Sequence, residues 1–507
     1  MKDSRSAHYI PAVRLILGGL VLALPLGAQS SPYVPLDHPL LPAAEFLIAR
    51  GDIADPSPMI RPFRRSDLLR AIGHAELDSA TASGRLAATL VKAFTEPNEE
   101  HWIRVAPRLG VDGFSRARRD LFHPAGQGGI RPYLESSFEL RSGPLVMMSR
   151  AAAENRLKLD PDWPGAATQQ TKSQAYRFID AYIAGQWKHA RLFFGQMDRN
   201  WGPAGSAGLS IANRGYPRTD LAFEVIFRDL QFSALGTQLT EMRSNDGTIP
   251  KRYFVAHRLN ARLTNRLNIA LWETGVVTGT NRSFEPGFAN SLILFSFPAQ
   301  LGRRDDRNTI LGGDLAWRPT KRLLLQGQAM IDDMWRRKPD PNGTGEPAHP
   351  GRWAATMVGS GAFGTRLSWR AHLAVVSALA YRTLDSAQNY VDRGVGIGPQ
   401  FPDNLSLGLS IGIPLAKSWL VTPDLTLFKQ GEGRLDRPFP VGPALTATPE
   451  LFIGTVESTW RLGAGVSGGI GPFQVQGDGG WHHTTNRNRL EARIRATIGF
   501  AAQKALQ

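Results

Sequence analysis

The feature that most constrains this chain is a two-residue alternation held over unusually long segments. Leu405, Leu407, Leu409, Ile411 and Ile413 alternate with Ser406, Gly408, Ser410 and Gly412. Leu490, Ala492, Ile494, Ala496, Ile498 and Phe500 alternate with Glu491, Arg493, Arg495, Thr497 and Gly499. A third segment sets Leu323, Leu325, Gly327, Ala329 and Ile331 against Arg322, Gln326, Gln328 and Asp332. Successive strand residues point to opposite faces, so each segment has one apolar and one polar side. Each runs for about 9–11 residues, the length of a tilted strand crossing a membrane. Strands of soluble sheets average about 5–6.

The connections alternate in length as well. Trp317–Lys321, Leu263–Leu267 and Pro414–Ser418 are tight links between strand patterns, whereas Asp333–Arg352, Asp385–Asn404 and Gln430–Glu450 are long and polar or rich in Gly and Pro. Short turns on one side and long loops on the other mark an outer-membrane barrel, with its turns in the periplasm and its loops outside. Residues 99–507 therefore predict an all-β transmembrane barrel of antiparallel strands. At about 20 residues per strand and connection, the segment gives roughly 16–20 strands. The 12 Trp, 9 Tyr and 24 Phe suit the aromatic girdles of such a barrel. A secreted soluble propeller or sandwich is the competing reading. Two features favour it: Phe500 is followed by seven more residues rather than ending the chain, and Gln174–Gln186 carries apolar residues on both faces.

The N-terminus places the chain. Lys2, Arg5 and Arg14 precede the apolar run Leu15–Leu26, and Gly27-Ala28 follows. Charge, apolar run and small residues in that order predict a secretory signal peptide over residues 1–28. The run falls short of the ~20 residues of a spanning helix. No later stretch reaches that length, the longest being Leu292–Phe297. The expected location is the outer membrane of a Gram-negative-type bacterium. The chain has no Cys, which excludes a disulfide scaffold, a Cys-ligated metal and a Cys nucleophile. Its formal charge is +15, from 59 basic and 44 acidic residues; 11 of the basic residues are Lys, which leaves 48 Arg. Export makes nucleic acid an unsuitable partner. Lipopolysaccharide phosphates and acidic sugars, which the Arg fork grips bidentately, suit the charge better.

Residues 29–98 read as a short helical periplasmic segment. Pro42 opens a pattern in which Ala43, Phe46 and Leu47 share a face, ending near Gly51. Ser66 is placed to cap a helix carrying Asp67, Leu68 and Leu69. Ser83 is placed to cap another carrying Leu86, Leu90, Ala93 and Phe94, which Pro97 stops. So small a set buries little alone and is expected to dock on the barrel.

Motifs for catalysis and cofactors are weak. Gly359-Ser360-Gly361-Ala362-Phe363-Gly364 has dinucleotide-fingerprint spacing but no following helix, and reads as packing glycines in a strand. His482-His483, Asp305-Asp306 and Asp332-Asp333 read as loop residues rather than metal ligands or acid–base groups. No catalytic residue, metal or cofactor is assigned. The stretch Arg191–Pro203 ends a strand pattern and enters a Gly-rich loop. Asp198, Arg199, Asn200 and Trp201 are its candidate polysaccharide-binding residues, the indole stacking on a sugar ring and the charged pair hydrogen-bonding its hydroxyls. The competing reading is a structural corner in which Asp198 and Arg199 satisfy each other.

Gly195-Gln196-Met197-Asp198-Arg199-Asn200-Trp201-Gly202-Pro203 resembles the signature region of the Wzi-like capsule-assembly proteins. Tyr33–Pro39, Glu45–Gly51 and Arg61–Leu68 resemble that family's mature N-terminus. The resemblance implies an eighteen-stranded outer-membrane barrel with helices on the periplasmic side. It implies a non-enzymatic protein that binds exported capsular or other exopolysaccharide and assists its assembly or attachment. The expected partners are that glycan, outer-membrane lipid and lipopolysaccharide, and the polysaccharide export machinery. The rival functions are a porin-like channel for sugars or anions and an outer-membrane hydrolase.

Overall fold

The computed structural model describes residues 30–163, 175–283, 307–333, 350–415, 418–485 and 487–506. The predicted leader (1–28), the run Leu292–Phe297, Asp305-Asp306 and most of the segment 333–352 lie outside them. Three helices come first: α1 (Leu41–Arg50), α2 (Arg65–Gly73) and α3 (Ala82–Phe94). A closed antiparallel barrel of eighteen strands follows, as the alternation requires. Its strands are β1 (His101–Phe114), β2 (Gly129–Ser142), β3 (Leu145–Glu154), β4 (Tyr176–Gln186), β5 (Ala190–Gln196), β6 (Thr219–Phe227), β7 (Leu230–Leu239), β8 (Lys251–Thr264) and β9 (Leu267–Gly279). The second half continues with β10 (Arg307–Thr320), β11 (Leu323–Asp333), β12 (Arg352–Phe363), β13 (Leu367–Val376), β14 (Asn404–Pro414), β15 (Leu420–Gln430), β16 (Glu457–Ile470), β17 (Phe473–Thr484) and β18 (Arg487–Gly499). Strand β18 pairs with β1 and closes the ring.

The three diagnostic segments fall in β14, β18 and β11, with their apolar residues facing outward. Their serines, glycines, glutamines and charges face the lumen. No described helix is long and apolar enough to cross a membrane; the strands cross it. Outward aromatics form two belts. Phe227, Trp317, Phe363, Phe473 and Phe500 sit at the short-turn end, and Tyr176, Phe178, Trp460 and Trp481 at the long-loop end. The glycine-rich stretch 359–364 lies at the end of β12, where the Trp369 indole covers Gly359 and Gly361 from outside.

Both features that argued against a barrel have local causes. In β4, Arg150 faces Asp180 but Ala151 faces Phe178, so Ile179 is an extra residue that resets the alternation. At the C-terminus the strand is interrupted opposite Pro107 and then resumes over Ala502–Ala505. Val105 pairs with Ala502 in the register set by Arg108 and Gly499.

The helical segment sits at the short-turn end and reaches into the barrel. Gly51, at φ 79°, ends α1 as expected, and Arg50 donates to the carbonyls of Leu367 (2.6 Å) and Thr365 (3.0 Å) in the β12–β13 turn. The Arg65 guanidinium grips Glu139 of β2 through both nitrogens, at 2.6 and 2.7 Å, and Asp37 meets Arg150 of β3 at 2.6 Å. The expected caps shift by one or two residues. Arg64, not Ser66, precedes α2, where Asp67 is held by Arg64 at 2.7 Å. Thr81, not Ser83, caps α3 by accepting from the Gly84 amide, because the Ser83 hydroxyl is drawn to Asp52 at 2.5 Å.

Two expected outcomes follow. Leu409 lies mid-strand on the lipid face, so Leu409→Arg should cost about 2–4 kcal/mol in urea unfolding of the reconstituted barrel. An unchanged midpoint would mean that this face does not meet lipid. His38 is buried against Phe94, and its Nδ1 accepts from the Leu40 amide at 3.2 Å. Burial, and then Arg108, Arg65 and Arg150, hold its pKa well below the ordinary value of 6.5. The unfolded chain protonates first on acidification, so His38 costs nothing above about pH 6.5 and lowers stability progressively below it. Wild type should therefore lose stability relative to His38→Asn as pH falls from ~7.5 to ~5. Parallel curves would refute the assignment.

Candidate functional site

The long loop between β5 and β6, residues 197–218, turns down into the lumen and meets the N-terminal segment coming up. Ile60 pairs with Trp201, and Arg61 with Asn200, in a short antiparallel ladder that crosses the interior. Loop 377–403 packs over the same place. Tyr381 and Tyr390 donate from their hydroxyls to the carbonyls of Leu209 (2.9 Å) and Ser210 (2.6 Å). Asp403 clamps the next loop by accepting from the amides of Gly433 (2.9 Å) and Ile453 (3.0 Å).

The structure separates the four candidate residues into two kinds. Trp201 is 4% exposed, inside an apolar cluster with Leu209, Ile211, Phe254 and Trp272. Asn200 is also buried; its amide donates to Ser206 O at 3.0 Å and its Oδ1 accepts from the Gly208 amide at 2.8 Å, which shapes the loop tip. Arg199 donates to Asp220 at 3.0 Å and lies 4.3 Å over the Phe193 ring, so its partner is Asp220 and not Asp198. Asp198 and Arg199, both half-buried, line a narrow crevice with Tyr216 and Arg218. Burial raises the Asp198 carboxyl above the usual range, against the pull of Arg119 and Arg177.

The wall around this loop is a charged lining that sequence periodicity did not single out. Arg258 of β8, fully buried, is paired with Asp314 of β10. Asp314 also accepts from Trp272 Nε1 and Gln328 Nε2, both at 2.7 Å, and Gln328 in turn donates to the Trp201 carbonyl at 2.9 Å. On the opposite wall, Asp112 and Glu154 gather Arg156, Arg493 and Arg495, with Arg495 at 2.9 Å from both. Partners this distant in sequence leave only one legible signal, a charge on the polar side of a membrane-length strand.

Two cavities flank the loop tip. The inner one, about 400 Å³, lies between α1 and residues 204–214 and is lined by Phe46, Glu45, Arg61, Arg370, Ser410 and Thr422 among others. The outer one, about 300 Å³, lies under the external loops and is lined by Phe122, His123, Phe401, Phe428, Arg461 and Asp478 among others. Gly205, Ser206 and Arg214 line both, so the tip is the partition. His123 packs 4.0 Å from Phe401, and Phe122 packs 5.0 Å from Phe428. His482, expected on a loop, is a lumen residue of β17 beside Phe122. Asp332 accepts from the Tyr381 amide at 2.7 Å. No group of three or more His, Asp and Glu that could hold a metal occurs among the described residues.

Asp314→Ala should leave Arg258 buried and uncompensated, costing about 3–5 kcal/mol in denaturant unfolding of the detergent-solubilised barrel. Asp314→Asn, which keeps acceptors for Trp272 and Gln328, should cost less. Equal small losses would show that the charge pair does not organise this wall.

Comparison with known proteins agrees with this architecture. Residues 133–323 match the family model of the capsule assembly protein Wzi. The structure of Wzi from Escherichia coli, an outer-membrane carbohydrate-binding β-barrel involved in group 1 capsule assembly, superposes with a TM-score of 0.64 at 14% identity, covering 93% of this chain and 100% of that one. OccAB4 of Acinetobacter baumannii (TM-score 0.46, 8% identity, 80% of this chain and 99% of that one) and OccK5 of Pseudomonas aeruginosa (0.44, 9%, 80% and 98%) are looser matches. No curated protein matches the sequence. The eighteen strands, the helices at the short-turn end and the outward aromatic belts share the fold of that outer-membrane β-barrel, and residues 133–323 carry the match to the family model.

Proposed function

We propose that this protein binds exported capsular or other exopolysaccharide at the cell surface and assists its assembly or attachment, making and breaking no bond. The observation that carries the reading is the backbone ladder that crosses the lumen. The Ile60–Trp201 ladder joins the periplasmic segment to an external loop, and what remains outside it is an aromatic-lined vestibule. Aromatic faces stack on sugar rings, and fixed polar groups around them accept and donate to hydroxyls. The vestibule carboxylates are engaged: Asp478 and Asp424 pair with Arg461, and Asp120 pairs with His123. Such groups suit recognition better than proton transfer, which sets the hydrolase reading behind this one. A lumen partitioned by the ladder and loop tip likewise sets the channel reading behind it.

In this reading Asp198 and Arg199 offer polar atoms to the glycan, while Asn200 and Trp201 act from beneath by fixing the loop tip. Residues 1–28 direct export, residues 29–98 form the periplasmic segment and residues 99–507 the barrel. The outward aromatic belts meet outer-membrane lipid and lipopolysaccharide. The exposed side of α2 and α3, with Arg70, Arg85 and Lys92, faces the periplasm and is open to the export machinery.

Deletion should leave total surface polysaccharide unchanged while moving part of it from the cell-bound to the shed fraction. Trp201→Ala, at normal barrel abundance, should shift the balance the same way. Normal fractions in the deletion strain would remove the attachment reading, and a large single-channel conductance of the purified barrel would then favour the channel.

A further inference from the structure

Arg61, Arg65, Arg150, Arg156, Arg258 and Arg461 each have a carboxylate partner. Arg214 and Arg370 have no hydrogen-bond or ion-pair partner for their guanidinium groups among the described residues. Both line the inner cavity. Arg370 projects from β13 and lies directly against the loop tip, where a Cβ on Gly205 would collide with its Nη1. Arg214 lies on the returning limb of the same loop. His372, two residues beyond Arg370 on the same face, is within the field of both arginines and is bonded to Ser406 at 2.9 Å. The carboxylate nearest in effect to Arg370 is Glu45. Glu45 is already held through both oxygens by Arg61, at 2.6 and 3.0 Å. Arg370 is half-buried without a counter-charge, which is costly, while Arg214 is exposed and presents its guanidinium to the open space of the same cavity; an anion held between them pairs with both.

We propose that the inner cavity is a binding site for a carboxylated sugar unit, with Arg214 and Arg370 gripping its carboxylate. The planar forks of two arginines fit a carboxylate. Ser410, Thr422 and Gln476 line the same space and meet ring hydroxyls, and Phe46 supplies an apolar floor. A volume of about 400 Å³ lies within the range of small-ligand sites. The proposal deepens the carbohydrate reading above and rests on it for the choice of a sugar acid. The unit comes either from an acidic residue of the surface glycan or from a free sugar acid.

The test is calorimetric titration of the purified full-length barrel in detergent with D-glucuronate, using D-glucose as the neutral control. Glucuronate should bind saturably and more tightly than glucose, and more weakly at high salt. Arg370→Gln and Arg214→Gln should each weaken it by about tenfold or more. Both variants are checked for heat-modifiable migration; Arg214 lies on a loop, so its variant keeps the test decisive if the wall variant does not fold. Equal binding of glucose and glucuronate, no saturation at millimolar glucuronate, or unchanged affinity in the folded variants would overturn the site. Competition by the cells' own purified polysaccharide assigns the ligand to the glycan, and its absence assigns the site to a free sugar acid. Failure of glucuronate binding alongside increased shedding of polysaccharide in the deletion strain would remove this site and leave the surface reading standing.

Discussion

Everything in this molecule follows from the absence of water around the outside of the wall. A strand edge in hydrocarbon leaves amides and carbonyls without partners, so the sheet must close on itself. Closure through the β18–β1 ladder then sorts every strand into a lipid side and a lumen side. Apolar residues take the first, and all remaining polarity takes the second. The lumen is consequently crowded with charge, and charge in a confined interior persists only when paired. Asp112 and Glu154 facing Arg156, Arg493 and Arg495, and Asp314 facing Arg258, are that requirement met.

The same pressure explains why two regions far apart in the chain meet inside. A barrel of eighteen strands is too wide for its own side chains to fill. Here the N-terminal segment enters from the turn side and loop 197–218 from the other, and their backbones satisfy each other where they touch, through Ile60–Trp201 and Arg61–Asn200. Arg61 is then fixed to Glu45 of α1, while Trp201 is fixed to the wall through Gln328. A rigid connection therefore runs from the periplasmic helices to the floor of the outer vestibule. The two faces of the barrel are mechanically joined by this ladder.

The part of this that was legible in the sequence is the part with a short period. Leu405–Ile413 and Leu490–Phe500 declare their lipid face residue by residue, and the contrast of Leu263–Leu267 with Asp385–Asn404 declares which end carries the loops. Local signals failed by small margins where a tertiary partner competed. Ser83 reads as a cap, but Asp52 takes its hydroxyl and Thr81 caps instead. Ile179 disguises β4, because a bulge cannot be read from one strand without its neighbour. The descent of loop 197–218 was not legible, since nothing in its composition distinguishes a loop that hangs outside from one that folds in. The candidate stretch Asp198–Trp201 was found through Trp201 and its charged neighbours, but whether each side chain meets ligand or loop depends on Asp220, Ser206 and Gln328, all set by the fold.

The pairing pattern also separates structural charge from charge held in reserve. A lumen arginine next to a carboxylate on a neighbouring strand is a wall element, and its energy is spent within the ladder. Arg214 and Arg370 break that rule at a place where three elements converge: β13, the loop tip at Gly205 and the returning limb of the loop. Glu45 could have served Arg370, yet its two oxygens go to Arg61, which the ladder to Asn200 holds in place. The interaction that plugs the barrel thus also withholds the counter-charge from the cavity beside it. An anion there completes an arrangement that the chain's own acids leave open.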